Sequence, residues 1–147
     1  MSRSMNSFAI SGSVIIASIL AVTATSIAAP VVETYQNVVT KFCLDSNDFR
    51  QVYTHRCNGG SYQKWQVIRS GDTRILKNVE TRSCLDSNAA RQVSTPGCNG
   101  GSYQKWKAIR SGNAIVFQNV VTKLCLDSNA ARQVYTHPCG SEYQKWR

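Results

Sequence analysis

The sequence predicts an all-β fold built from three tandem copies of one unit, and three observations carry that prediction. The first is a period of 41 residues: Cys43, Cys84 and Cys125 keep it, as do Cys57, Cys98 and Cys139, Asp45, Asp86 and Asp127, and Asn37, Asn78 and Asn119. The second is that each period holds several short runs of β-branched and aromatic residues, with no sustained 3.6-residue apolar repeat after position 30. The third is the pair of turn signals Asn58-Gly59 and Asn99-Gly100. Hydrophobic residues make up 42% of the chain, enough apolar surface to offset the entropy of ordering it, so a disordered chain is excluded. A length of 147 residues excludes a large multi-domain enzyme.

Residues 1–28 read as a cleaved secretory leader. Met1 to Ser7 is short and polar with one cation, Arg3, and Phe8 to Val22 is mostly apolar. Ser26 and Ala28 satisfy the small-x-small rule, which places cleavage before Ala29. The apolar run is only about fifteen residues and is interrupted by Ser11, Gly12 and Ser13, whereas a membrane-spanning helix needs roughly 20. Loss of the leader leaves residues 29–147 with a net charge of +8.

The repeats run 31–71, 72–112 and 113–147. Within them Ile75-Leu76 and Ile115-Val116-Phe117 are β-rich, and Val31, Val32 and Tyr35 occupy the matching stretch of the first copy. Phe42-Cys43-Leu44 gives a second strand, Gln51 to Thr54 a third, and Trp65 to Arg69 a fourth, closed by Ser70-Gly71. Trp65 and Trp106 keep the period, but Trp146 follows after 40 residues, because CNGGSYQKW in the first two copies becomes CGSEYQKW in the third. The third copy also stops at Arg147, five residues short. Its last strand is therefore expected from the N-terminal segment near Val31 to Tyr35, so that the chain termini close the barrel and no strand edge is left exposed.

Three copies of Gln-x-Trp (Gln63-Lys64-Trp65, Gln104-Lys105-Trp106, Gln144-Lys145-Trp146), in register with Cys-Leu-Asp, resemble the ricin B-type β-trefoil lectins. With Leu44-Asp45-Ser46-Asn47, Val52-Tyr53-Thr54 and Asn58-Gly59-Gly60, they are most similar to the actinohivin-like three-module lectins. The resemblance covers essentially the whole of residues 29–147. It implies a β-trefoil with pseudo-threefold symmetry and a secreted, multivalent carbohydrate-binding protein without catalysis. It implies mannose-type glycans or glycoproteins as partners, with galactose as the alternative. Tyr62, Tyr103 and Tyr143 stand where ricin-type sites often have Asn, which argues against a direct transfer of galactose specificity.

The resemblance implies one shallow pocket per unit, made by a carboxylate, an aromatic ring and an amide or turn group. The carboxylates are Asp45, Asp86 and Asp127: an acceptor-only group suits adjacent sugar hydroxyls, although Asp-Ser-Asn is also good turn chemistry. The rings are Tyr53 and Tyr135, whose electron-rich faces suit the C–H side of a sugar; the rival reading is a half-buried strand tyrosine. The second unit carries Ser94 at that position, so its site is expected to be weak or silent. Asn58 and Asn99 offer amides to hydroxyls or simply form the Asn-Gly-Gly turns; the third unit has Gly140 there. Only the first unit keeps all three elements. His55 and His137 are equivalent, either lining a pocket or facing solvent. The Trp residues are expected to fill the barrel core, and the Gln residues to brace buried backbone groups.

Six cysteines allow fifteen pairings, and the repeat symmetry selects Cys43–Cys57, Cys84–Cys98 and Cys125–Cys139. Zinc is the rival use, but one Cys pair per unit does not make a four-ligand site, so neither a metal nor any other cofactor is expected. Disulfides fit an oxidising, extracellular location. The net charge raises a second class of partner, polyanions such as heparin-like or nucleic acid chains, but the arginines are dispersed with no dense run, so no specific nucleic acid partner is expected. The expected oligomeric state is a monomer.

Overall fold

A computed structural model describes residues 9–18 and 29–147. The expected leader falls largely on 1–8 and 19–28, outside the described residues, and so does the proposed cleavage motif at Ser26 to Ala28. Residues 9–18 form no helix or strand, and Ile10, Val14, Ile15 and Ile16 are exposed. No helix among the described residues is long and apolar enough to cross a membrane.

From Val31 onward the chain is a β-trefoil. In order, the strands are β1 (Val31–Glu33), β2 (Cys43–Ser46), β3 (Val52–His55), β4 (Trp65–Ser70), β5 (Thr73–Asn78), β6 (Asp86–Ser87), β7 (Val93–Ser94), β8 (Trp106–Ser111), β9 (Ala114–Asn119), β10 (Cys125–Ser128) and β11 (Val134–His137). A single 3₁₀ turn precedes each Gln-x-Trp: Ser61–Gln63, Ser102–Gln104 and Glu142–Gln144.

Two kinds of antiparallel hairpin alternate. β4–β5 and β8–β9 cross from one repeat to the next, turning at Gly71 and Gly112, whose φ values of 62° and 61° are the left-handed conformation glycine adopts without penalty. β2–β3, β6–β7 and β10–β11 lie within a repeat. Their tips are set by Asn47, Asn88 and Asn129, whose side-chain oxygens accept the backbone N–H of Gln51, Gln92 and Gln133. The sequence reading anticipated strands at all these places.

The termini close the barrel, by a route that differs from the expected one. Val31–Glu33 does not supply the missing strand of the third copy; it pairs with β4 of its own repeat, Val31 opposite Val67 and Glu33 opposite Trp65. Closure is made one step later. Gln36 and Arg147 exchange backbone hydrogen bonds of 2.7 and 2.8 Å, and Asn37 faces Trp146. The reason is register: Asn37 is the first-copy equivalent of Asn78 and Asn119, which face Trp65 and Trp106 in the complete hairpins. The short C-terminus therefore needs a partner strand rather than a substitute strand.

The core repeats with the sequence. Trp65, Trp106 and Trp146 are fully buried with Leu44, Leu85 and Leu126, and the equivalent positions Tyr35, Leu76 and Phe117 complete the packing. Each indole N–H donates to a leucine carbonyl of its own repeat at 3.0–3.1 Å, so none of the three indole donors is left open. Fully buried Asn37, Asn78 and Asn119 donate to the carbonyls of Tyr143, Tyr62 and Tyr103 at 2.7–2.8 Å, which locks each repeat to the preceding one and the first to the third. The three disulfides form in the pairing that repeat symmetry selects. Each closes a loop of about fifteen residues, worth about 3 kcal/mol in the chain-entropy view.

Candidate functional site

Within each internal hairpin the strand register sets a carboxylate against the position of a ring. Asp45 lies opposite Tyr53, Asp127 opposite Tyr135, and Asp86 opposite Ser94. Cross-strand neighbours on one face are about 5 Å apart, close enough to touch one ligand together.

In the first and third units the glutamine of Gln-x-Trp orients the carboxylate. Fully buried Gln63 donates from Nε2 to Asp45 Oδ2 at 2.8 Å and to the Arg56 carbonyl at 2.9 Å, while its Oε1 accepts the Asn58 N–H. Gln144 repeats this with Asp127 (2.9 Å), the Pro138 carbonyl and the Gly140 N–H. Gln104 holds the Gly97 carbonyl and the Asn99 N–H of the second unit. The glutamines brace backbone, as expected, and in the first and third units they also fix one carboxylate oxygen. That second role was legible only as the recurrence of Gln after Asp in every unit, at 18, 18 and 17 residues.

Gly140 does not spoil the third unit. Its N–H meets Gln144 as the Asn58 N–H meets Gln63, because the anchor is a backbone group and needs no asparagine side chain. Asn58 and Asn99 spend their side-chain oxygens inside their own turns, accepting the Gly60 and Gly101 N–H groups at 2.8 and 2.7 Å. The turn-forming reading of these asparagines is therefore realised in the structure.

The three units differ in openness. At the third, a cavity of about 450 Å³ is lined by Asp127, Asn129, Ala130, Tyr135, His137 and Tyr143, among others. In the first unit the residue equivalent to Ala130 is Asp48, and Tyr62, the equivalent of Tyr143, donates its hydroxyl to Asp48 at 2.9 Å. That bond spans the rim. Asp45 and Asp127 are equally buried, each 4% exposed, and the difference lies in one atom: beneath the strap Asp45 Oδ1 has no partner and is shut from solvent. Asp45 still abuts Tyr53, whose hydroxyl pKa is raised by burial and by the Asp45 charge. The unit with the fullest set of residues is thus the strapped one. In the second unit Ser94 leaves Asp86, half-buried, without a ring opposite.

Burial also raises the pKa of Asp127, opposed by the Gln144 amide and the neighbouring His137. Asp86 is shifted the same way by burial, opposed by Gln104. His55 and His137 are both exposed, and His137 lines the third-unit cavity. No group of three His, Cys, Asp or Glu side chains among the described residues is placed to hold a metal.

Comparison with known proteins agrees with this geometry. The family profile for the ricin-type beta-trefoil lectin domain matches residues 32–146. No curated protein sequence matches the chain. Among solved structures, a designed 3-fold symmetric protein, ThreeFoil, superposes with a TM-score of 0.72 at 17% identity, covering 79% of this chain and 96% of that one. At that identity the likeness concerns the fold.

Proposed function

Because the chain belongs to the ricin-type β-trefoil lectin family, we propose that it is a secreted, multivalent, non-catalytic lectin for mannose-type glycans, with the third unit as its open site. The observation that carries the reading is Asp127 opposite Tyr135 in a solvent-open cavity. The fixed Oδ2 of Asp127 aims the carboxylate, its other oxygen accepts sugar hydroxyls, and Tyr135 offers a ring face to the apolar side of the sugar. Mannose-type specificity rests on the likeness of the repeats to actinohivin-like modules. Secretion is supported by three disulfides and by the leader-like residues 1–28.

A single shallow site of this kind is weak, and a millimolar Kd corresponds to only about −4 kcal/mol. A second site on the same rigid scaffold adds avidity when branches of one glycan reach both. The first unit supplies that second site once the Tyr62–Asp48 bond releases. A glycan array on residues 29–147 tests the reading. High-mannose glycans are expected among the hits, and Tyr135→Ala is expected to weaken them about three- to tenfold, the worth of a ring contact. An array without hits, or hits indifferent to Tyr135→Ala, overturns it.

The strap yields its own prediction. Asp48→Ala removes the acceptor that holds Tyr62 and makes the first unit resemble the third at this position. Calorimetric titration with a monovalent mannoside is expected to show two sites of unequal affinity in the wild-type chain and two of similar affinity in Asp48→Ala. An unchanged difference between the two sites would mean that Asp48 does not control access.

A further inference from the structure

A second concavity lies where the three units meet. It has a volume of about 980 Å³ and is lined by the tips of all three internal hairpins: Arg50, Arg91 and Arg132, then Gln51, Gln92 and Gln133, then the equivalent valines, with Tyr53 and Tyr135 on two sides and Ser94 on the third. That size holds a small oligosaccharide. No Asp or Glu lines it.

Its polar groups are donors. Gln51, Gln92 and Gln133 each accept an asparagine amide N–H on Oε1, at 2.8, 2.9 and 2.8 Å, and their Nε2 groups have no acceptor among the described residues. None of the three arginines is ion-paired among the described residues; Arg132 is stacked on the Phe42 ring. All three arginines stand at positive φ, 64–66°, an uncommon conformation for a side chain of this size. The fold holds them there because the carbonyls of Arg50, Arg91 and Arg132 accept the N–H of Thr95, Thr136 and Thr54, each in another repeat. The backbone of one arginine from each unit is thereby fixed around a common centre, and each side chain is exposed there.

We infer that this central bowl, which shares Tyr135 and His137 with the third-unit pocket, binds a saccharide carrying several sulfate or phosphate esters. Donors without acceptors select ligand oxygens, and the guanidinium fork matches the oxyanion of such an ester. A neutral sugar leaves the positive charge of the three arginines unmatched. Because threefold repetition gathers the charge, the bowl is electropositive although no run of basic residues exists in the sequence.

The test is calorimetric titration of residues 29–147 with sucrose octasulfate and with inositol hexakisphosphate, each against unsulfated sucrose. At least one polyanion is expected to bind, with sucrose inert, and the tighter of the two assigns the ester. The triple variant Arg50→Asn, Arg91→Asn, Arg132→Asn is expected to lose affinity at least about a hundredfold, and Arg91→Asn alone about tenfold. Asparagine is chosen because it tolerates positive φ, so the backbone contacts persist; should the triple variant not fold, the single variant carries the test. Arg110→Gln, an exposed arginine outside the bowl, is expected to change affinity no more than about twofold. Binding of neither polyanion, retention by the arginine variants, or an equal loss in Arg110→Gln overturns the inference.

Discussion

Asp127→Asn is expected to lower the affinity of the third-unit site for its glycan by about ten- to a hundredfold, the worth of charge-assisted hydrogen bonds to a buried carboxylate. The substitution preserves shape. Gln144 keeps an oxygen to donate to, so its bonds to the Pro138 carbonyl and the Gly140 N–H remain and the loop holds its form. What changes is the atom presented to the ligand: an amide N–H replaces an acceptor oxygen, and hydroxyl donors lose their partner. Calorimetric titration at several pH values checks this and adds a second signature. Burial raises the Asp127 pKa above its ordinary 3.8, so binding by the wild-type chain is expected to strengthen as pH rises through that raised value. Stability moves the other way. The folded state holds this proton more tightly than the unfolded state, so the contribution of Asp127 to stability is fully present below the ordinary value and is lost as pH rises through the raised one. Asp127→Asn should flatten both profiles. Unchanged affinity, with an unchanged pH profile of binding, would remove Asp127 from the site.

Trp106→Ala is expected to cost about 3–5 kcal/mol, the largest stability effect of any single substitution considered. The side chain is fully buried at the centre of the second repeat. Its removal leaves a cavity that two neighbouring repeats, each tied by its own disulfide, collapse into poorly, and it orphans the Leu85 carbonyl that the indole N–H satisfied at 3.0 Å. The effect should reach the sites as well, because Gln104 lies two residues before Trp106 and anchors the Asn99 turn. Urea denaturation measures the loss. A value under about 1 kcal/mol would mean that the three tryptophans do not act as one core.

Much of this arrangement was readable before any coordinates. The 41-residue period gave the unit, the disulfide pairing and the equivalence of the three Asp positions, because a duplicated unit must bury the same face each time. The grouping of Asp45 with Tyr53 came from the family resemblance, and the structure supplied the register that sets the two opposite each other. The ranking of the three pockets was not readable. Counting residue types favours the first unit, which alone holds Asp45, Tyr53 and Asn58. Yet the side-chain oxygen of Asn58 is taken up by its own turn, and Asp48, fourteen residues before Tyr62 and outside the expected site, ties that ring down.

The sequence alone determined which residues are equivalent and therefore which fold and which chemistry recur, because those follow from spacing and local pattern. Only the tertiary structure decided which copy is open and what lies between the copies. Access at the first unit depends on one hydroxyl meeting one carboxylate across a rim. The central bowl exists because arginines 41 residues apart are brought around one centre by backbone bonds between repeats. Both are distances through space, and no one-dimensional period encodes them.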